Sequence, residues 1–316
     1  MNNALKTLIL ICVTIVCIAE FATAGKNDIV ILAGDELTST KRTEKGASKV
    51  ISNENPTIIY SNLLIQPNDE NYNNIVDSIK KINPRLIFTI GSHATKLAQD
   101  NFKNIPIVFS SVKYPVLSGF VNSISSPGKN ITGASIDIPT KVQFEKFKQI
   151  IPNVKKIGVL YTENTASLIP QAQVIASQLG IELIALEVNS EKELPIKLDS
   201  LSSMVEGIWS VADPVLFKPK STRYILINTL RKRIPFMGFS RYVVESGALF
   251  ALDFDYKAVG RQAGEIVNQV LAGNDPSTIK VTAADVIWFH YNEKTAERIN
   301  IKIPEELASV AKEVYR

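Results

Sequence analysis

Residues 86–95 read LIFTIGSHAT, and this stretch decides the fold. Leu86 to Ile90 form a short apolar run with no polar alternation beyond Thr89, the pattern of a strand buried on both faces. The run breaks at Gly91, and Ser92, His93 and Thr95 open a helix-like segment. A strand that turns at glycine directly into a helix is half of a βαβ unit. It leaves the first helical N–H groups without intrahelical acceptors, beyond the strand's carboxyl end, where an anion fits.

The same pattern recurs on either side. DIVILAG (28–34) reads as a strand ending at Gly34, and TIIYSNLLI (57–65) as a second. YNNIVDSIKKINP (72–84) spaces Ile75, Val76, Ile79 and Ile82 as a helix stopped by Pro84. Strands at LIFTIG and IPIVFSS are followed by a helix at 142–152, with Phe144, Phe147 and Ile151 on one face. KIGVLY (156–161) is a strand, and PQAQVIASQLG (170–180) is a helix with Pro at its start and Gly at its end. IELIALEV, GIWSV and IPFMGF read as strands, and 256–273 as a long helix ended by Gly273. Alternating strands and helices predict an α/β protein with parallel sheets covered on both sides. At least eight strands fit. One continuous sheet is compatible with the pattern, but two smaller sheets fit better, because the series restarts at KIGVLY after the loop SSPGKNITGAS (125–135).

Composition sets the remaining bounds. The 316 residues are 45% hydrophobic and 21% charged, ordinary for a globular chain with a large core. A net charge of +4 from 35 basic and 31 acidic residues, without a basic cluster on one face, argues against a nucleic-acid partner. KRTEKGASK (41–49) reads as a solvated loop or helix face. At the N-terminus, one Lys, an apolar run at 8–19 and Ala22-Thr23-Ala24 form the layout of a secretory signal peptide, 1–24, cleaved after Ala24. An uncleaved anchor is the alternative reading. The only cysteines, Cys12 and Cys17, lie inside this segment behind Ile11 and Val16, which argues against a lipid-modified cysteine.

In open parallel sheets ligands sit beyond the carboxyl ends of the strands. The residues there are Gly34, Asp35, Glu36 and Thr38; Gly91, Ser92, His93 and Thr95; Ser110, Ser111 and Lys113; Tyr161, Thr162 and Glu163; Ser210 and Asp213; and Phe239, Ser240 and Arg241. Hydroxyls, carboxylates and rings together suit a small zwitterion. Ser92, Asp213 and Ser240 read equally as helix caps, and His93 as a capping or surface residue. No G-x-S-x-G, P-loop, G-x-G-x-x-G or H-E-x-x-H motif occurs, and His93 and His290 alone supply little for a histidine-based zinc site or triad, so neither enzyme chemistry nor a cofactor is expected. Asp253 and Asp255 share one side of a strand, about 7 Å apart, as an acid/base pair would, but Asp255 precedes the 256–273 helix and reads as its cap. Asn130-Ile131-Thr132 matches a glycosylation acceptor.

Several spaced motifs resemble the substrate-binding proteins of ABC transporters, in particular members that bind tryptophan and other aromatic amino acids. They are IPIVFSSVKYPVLSGFVNSISSPGKNITGAS (105–135), PNVKKIGVLY (152–161), ADP (212–214), residues 234–273, and NEKTAERINIKIPEELASVAKEV (292–314). The resemblance departs at Tyr114 in place of Asp, Lys129 in place of Gly and Asp253 in place of Gly. It implies a type I periplasmic binding protein: two Rossmann-like lobes, 25–136 plus 250–281 and 137–249 plus 282–316, joined by three crossing strands near 133–138, 249–254 and 279–284. It further implies a periplasmic, monomeric protein that holds an amino acid between its lobes and hands it to an ABC permease and ATPase, or to a signalling receptor. On this resemblance Ser92 and Thr95, supported by Ser111, bind a carboxylate. Asp213, with Asp255, binds the ammonium. Tyr161, Trp209 and Phe239 form the side-chain wall, with Trp209 also readable as core. An exported α/β enzyme using Asp253 and Asp255 is the remaining alternative.

Overall fold

The computed structural model describes residues 29–65 and 72–316. The signal-peptide reading of 1–24, with both cysteines, lies outside the described residues. Two compact units form, residues up to 134 with 260–282, and residues 135–259 with 283–316.

In the first unit, β1 (Ile29–Ala33) is followed by α1 (Thr38–Glu54) and β2 (Tyr60–Leu64). Then come α2 (Tyr72–Ile82), β3 (Leu86–Ile90), α3 (Ser92–Asn101), β4 (Ile107–Val112) and β5 (Ile131–Ser135). The strands line up in the order β2-β1-β3-β4-β5. β1 pairs in parallel with β2 and β3, and β3 with β4. β3 and β5 are buried along their whole length; β3 is apolar apart from Thr89, whereas β5 (ITGAS) is buried with small and hydroxyl residues. The register aligns Ala33 with both Leu64 and Ile90, and Ile90 with Ser110, so the loops that follow leave from one edge.

The second unit begins with α4 (Thr140–Ile150), β6 (Lys156–Tyr161) and a 3₁₀ turn, Glu163–Leu168. It continues through α5 (Ile169–Gln178), β7 (Glu182–Glu187), α6 (Leu194–Met204) and β8 (Gly207–Trp209). Next are α7 (Pro219–Arg231), β9 (Phe236–Gly238), α8 (Arg241–Glu245), β10 (Phe250–Phe254) and the start of α9 (Tyr256–Leu271), whose residues from Gly260 on belong to the first unit. β11 (Ile287–Asn292), α10 (Glu293–Arg298), α11 (Glu305–Ala308) and β12 (Glu313–Tyr315) complete it. The sheet order is β12-β11-β10-β9-β8-β6-β7, and β10 and β11 pair antiparallel. Phe144, Phe147, Ile157, Phe250 and Phe289 fill one side of this sheet, and Leu201, Ile208, Ile225 and Phe236 the other.

Residues 249–254 do not cross between units as expected. β10 lies inside the second sheet, between β9 and β11, so residues 250–259 pack with the second unit rather than the first. The chain passes between the units after Ala134, after Val259 within α9, and after Thr282. An apolar run identifies a strand but not its neighbours, which explains the misplacement. From Gly260 on, α9 packs against α1 of the first unit. A Cβ at Gly260 would lie 2.0 Å from the Thr43 carbonyl oxygen, and one at Gly264 2.8 Å from that of Ala47, so the close approach of the two helices requires glycine. Among the described residues, no helix is long and apolar enough to cross a membrane.

Candidate functional site

A doubly wound sheet binds its ligand where the strand order reverses. In the first unit that point lies between β1 and β3, beneath the loops after Ala33 and Ile90. Gly91 sits in the left-handed region at φ +89°, and α3 begins without any side-chain cap. The first helical bond runs from the Thr95 N–H to the Gly91 carbonyl, so the amides of Ser92 and His93 have no intrahelical acceptor. Ser92 and His93 are exposed. Glycine at such a cap costs only a few tenths of a kcal/mol relative to Ser or Asn, so leaving the helix start open is cheap.

Around this opening the expected residues divide. Thr95 is fully buried; its hydroxyl bonds Thr89 Oγ1 at 2.8 Å and donates to the Gly91 carbonyl at 2.8 Å. It fastens the loop from beneath, and its hydroxyl is not directed at a carboxylate ligand. Asp35 accepts from the Leu37 N–H at 3.0 Å and from the Thr40 hydroxyl, which ties it to the start of α1. Glu36 beside it is exposed. Ser111 hydrogen-bonds Thr43 Oγ1 at 3.0 Å and is held at φ +59°, a conformation that costs a non-glycine residue about 1–2 kcal/mol. Ser110 is fully buried, and its hydroxyl has no hydrogen-bond partner among the described residues. His93 bonds the Tyr72 hydroxyl through Nε2, a partner that the helical reading of 72–84 did not single out.

The second unit reverses its strand order between β6 and β8. Here Asp213, 1% exposed, accepts five hydrogen bonds. Its Oδ2 receives the Thr162 N–H at 3.1 Å and the hydroxyls of Thr162 and Thr165, each at 2.7 Å. Its Oδ1 receives the N–H groups of Val215 and Leu216, each at 2.9 Å. Burial alone would raise its pKa, but the bonds from Thr162, Leu216, Thr165 and Val215 outweigh it and hold the carboxyl below the ordinary range. A carboxylate has about four lone-pair sites, so this one is saturated and its expected role as ammonium ligand is not supported. Thr162 in turn caps the 3₁₀ turn by accepting from the Asn164 N–H.

Of the expected aromatic wall, one ring is committed to the core and two are half-buried. Trp209 is 3% exposed, donates to Gln143 Oε1 at 2.7 Å and packs edge-on against Phe144, so it belongs to the core. Phe239 packs against Phe217 at 5.1 Å between ring centres, and Tyr161 lies half-buried on the core. Ser240 precedes α8 without capping it through its side chain. Asp255 Oδ1 accepts from the Lys257 N–H at 2.8 Å, the capping reading, while Asp253 accepts from the Phe254 N–H at 2.9 Å. Thr132 is fully buried and Asn130 donates to the Phe102 and Ile105 carbonyls, so the glycosylation reading fails on access. Buried His290 lies 3.5 Å from Glu313; burial lowers its pKa, against the opposing pull of Asp253 and Glu313. Among the described residues, no group of three or more His, Cys, Asp or Glu is placed to hold a metal ion.

Comparison with known proteins adds what geometry leaves open. The profile of a family described as ABC transporter substrate binding protein matches residues 29–315. A protein of Clostridioides difficile named tyrosine-binding protein is 28% identical over 222 residues, 69% of this chain and 63% of that relative, so the match spans less than two thirds of the relative's length. A substrate binding protein with adhesive properties from Clostridium difficile, solved ligand-free and open, superposes with a TM-score of 0.75 at 22% identity, over 92% of this chain and 99% of that one. An ABC domain from Streptococcus pneumonia in complex with L-Trp gives 0.65 at 22% identity, over 92% and 100%. At these identities the two structures establish a shared fold.

Proposed function

This chain belongs to the ABC transporter substrate binding protein family and has the fold of type I periplasmic binding proteins; from that premise we propose that it captures an amino acid, an aromatic one foremost, and delivers it to an ABC importer. The observation that carries the reading is the uncapped start of α3 at the first unit's strand reversal. There Ser92 Oγ and the Ser92 and His93 amides take the α-carboxylate, a charge-assisted arrangement favoured by the helix dipole. Glu36, exposed at the tip of the adjacent strand, takes the ammonium in place of the saturated Asp213. The tyrosine-binding relative supports the ligand class. The chain acts outside the cytoplasm, exported through residues 1–24, and works by binding and release without chemistry.

Thermal and chemical unfolding of the purified protein in the presence of a panel of amino acids tests this. At a ligand concentration ~100 times Kd the folded state gains about 2.7 kcal/mol. A transition unmoved by every aromatic, aliphatic and charged amino acid overturns the proposal.

A further inference from the structure

We propose that Tyr72 and His93 form the side-chain selector of this site, a rigid aromatic surface that favours a solute with a planar ring over one with a branched aliphatic chain. The inference rests on the preceding reading, in which the solute's carboxylate is bound at Ser92.

Position is the first observation. Tyr72 opens α2, which follows β2, and His93 is the second residue of α3, which follows β3. β1 lies between those strands, and Ala33 is in register with both Leu64 and Ile90. The two rings therefore meet over the tip of β1, at the strand reversal. Gly34 sits directly below, where a Cβ would lie 3.7 Å from that of His93.

The bonding of the pair is the second. The Tyr72 hydroxyl and His93 Nε2 are hydrogen-bonded to each other, and the rings stand edge to face, 5.5 Å apart at 87°. The hydroxyl and Nε2 are thereby directed at one another, and ring surface remains. Tyr72 also packs against the first unit's core, so the pair is anchored from beneath while His93 stays exposed. Rings held this way lose little further freedom when a ligand stacks on them.

The third is adjacency. His93 follows Ser92 directly, with consecutive Cα atoms about 3.8 Å apart, so a carboxylate at Ser92 places the ligand's side chain beside these rings. Of the second unit's two indoles, Trp209 is committed to its core and Trp288 carries the Lys312 ammonium over its ring.

Calorimetric titration of the full chain with L-tyrosine, L-tryptophan, L-phenylalanine and L-leucine provides the test, read as the ratio of aromatic to leucine affinity. Tyr72→Leu, which keeps apolar contact with the core, is expected to lower that ratio at least tenfold, with leucine affinity within about twofold of wild type. His93→Gln is expected to lower it several-fold, and Tyr72→Phe by less. If Tyr72→Leu does not fold by circular dichroism, the other two variants read the same ratio. An unchanged ratio in the folded variants, or an equal loss for all four solutes, overturns the selector while wild-type binding leaves the parent reading standing. Failure of the wild type to bind any of the four overturns both.

Discussion

Each unit reverses its strand order once, between β1 and β3 in the first and between β6 and β8 in the second, and the two points are finished in opposite ways. At the first, the helix start has no side-chain cap, glycine stands at the turn, and Ser92 and His93 face outward. At the second, Thr162 caps its turn and Asp213 closes the loops on themselves through five hydrogen bonds. The residue types are nearly the same, hydroxyls and carboxylates at strand tips. The contrast teaches that such residues are scaffold where they satisfy one another, as Asp213 does with Thr162 and Thr165, whereas the amides of Ser92 and His93 are left without an intrahelical acceptor.

The most severe way to break this contrast is Asp213→Ala. It strands the buried hydroxyls of Thr162 and Thr165 and three amides, and is expected to remove about 4 kcal/mol of unfolding free energy in urea denaturation. A loss below about 1 kcal/mol would show that the second reversal is not sealed by this carboxylate. A paired comparison at the first reversal comes next. Thr95→Val should cost about 1–2 kcal/mol of stability, because Thr89 loses its partner, and leave solute affinity nearly unchanged. Ser92→Ala should do the reverse, keeping stability within about 0.5 kcal/mol and weakening binding about five- to tenfold. Equal effects of the two on affinity would erase the distinction between support and site.

The smallest effect concerns pH. Burial lowers the pKa of His290, so as pH falls through about 6.5 the unfolded chain takes up a proton before the folded one does. Stability is therefore full above that value and declines as pH drops toward the lowered one. Asp213, whose pKa is also lowered, loses its contribution as pH falls through its own depressed value, in a more acidic window. The melting temperature should drop by a few degrees from pH 7.5 to 5.5, and His290→Gln should flatten that drop. An identical drop in the variant would assign it to other groups.

The alternation of apolar runs and helical periods revealed β1, β3, β4 and β6 and the helices at 72–82 and 169–178, since burial of a parallel strand is written in its own residues. The membership of 250–259 was not legible, because strand pairing joins residues far apart in the chain. Nor was Tyr72, whose place at the head of a helix gives no sign of the imidazole 21 residues on.

Sequence by itself determined that this is an α/β chain of two strand–helix series, and which residues stand at the strand tips. These are local properties, carried by hydrophobic periodicity and by glycine breaks. Only the tertiary structure decided which tips remain open. Whether a hydroxyl or carboxylate is free depends on donors that folding brings to it, as with Asp213 and Thr162, 51 positions apart. A buried polar group must be paired, and the partner is a fact of three dimensions.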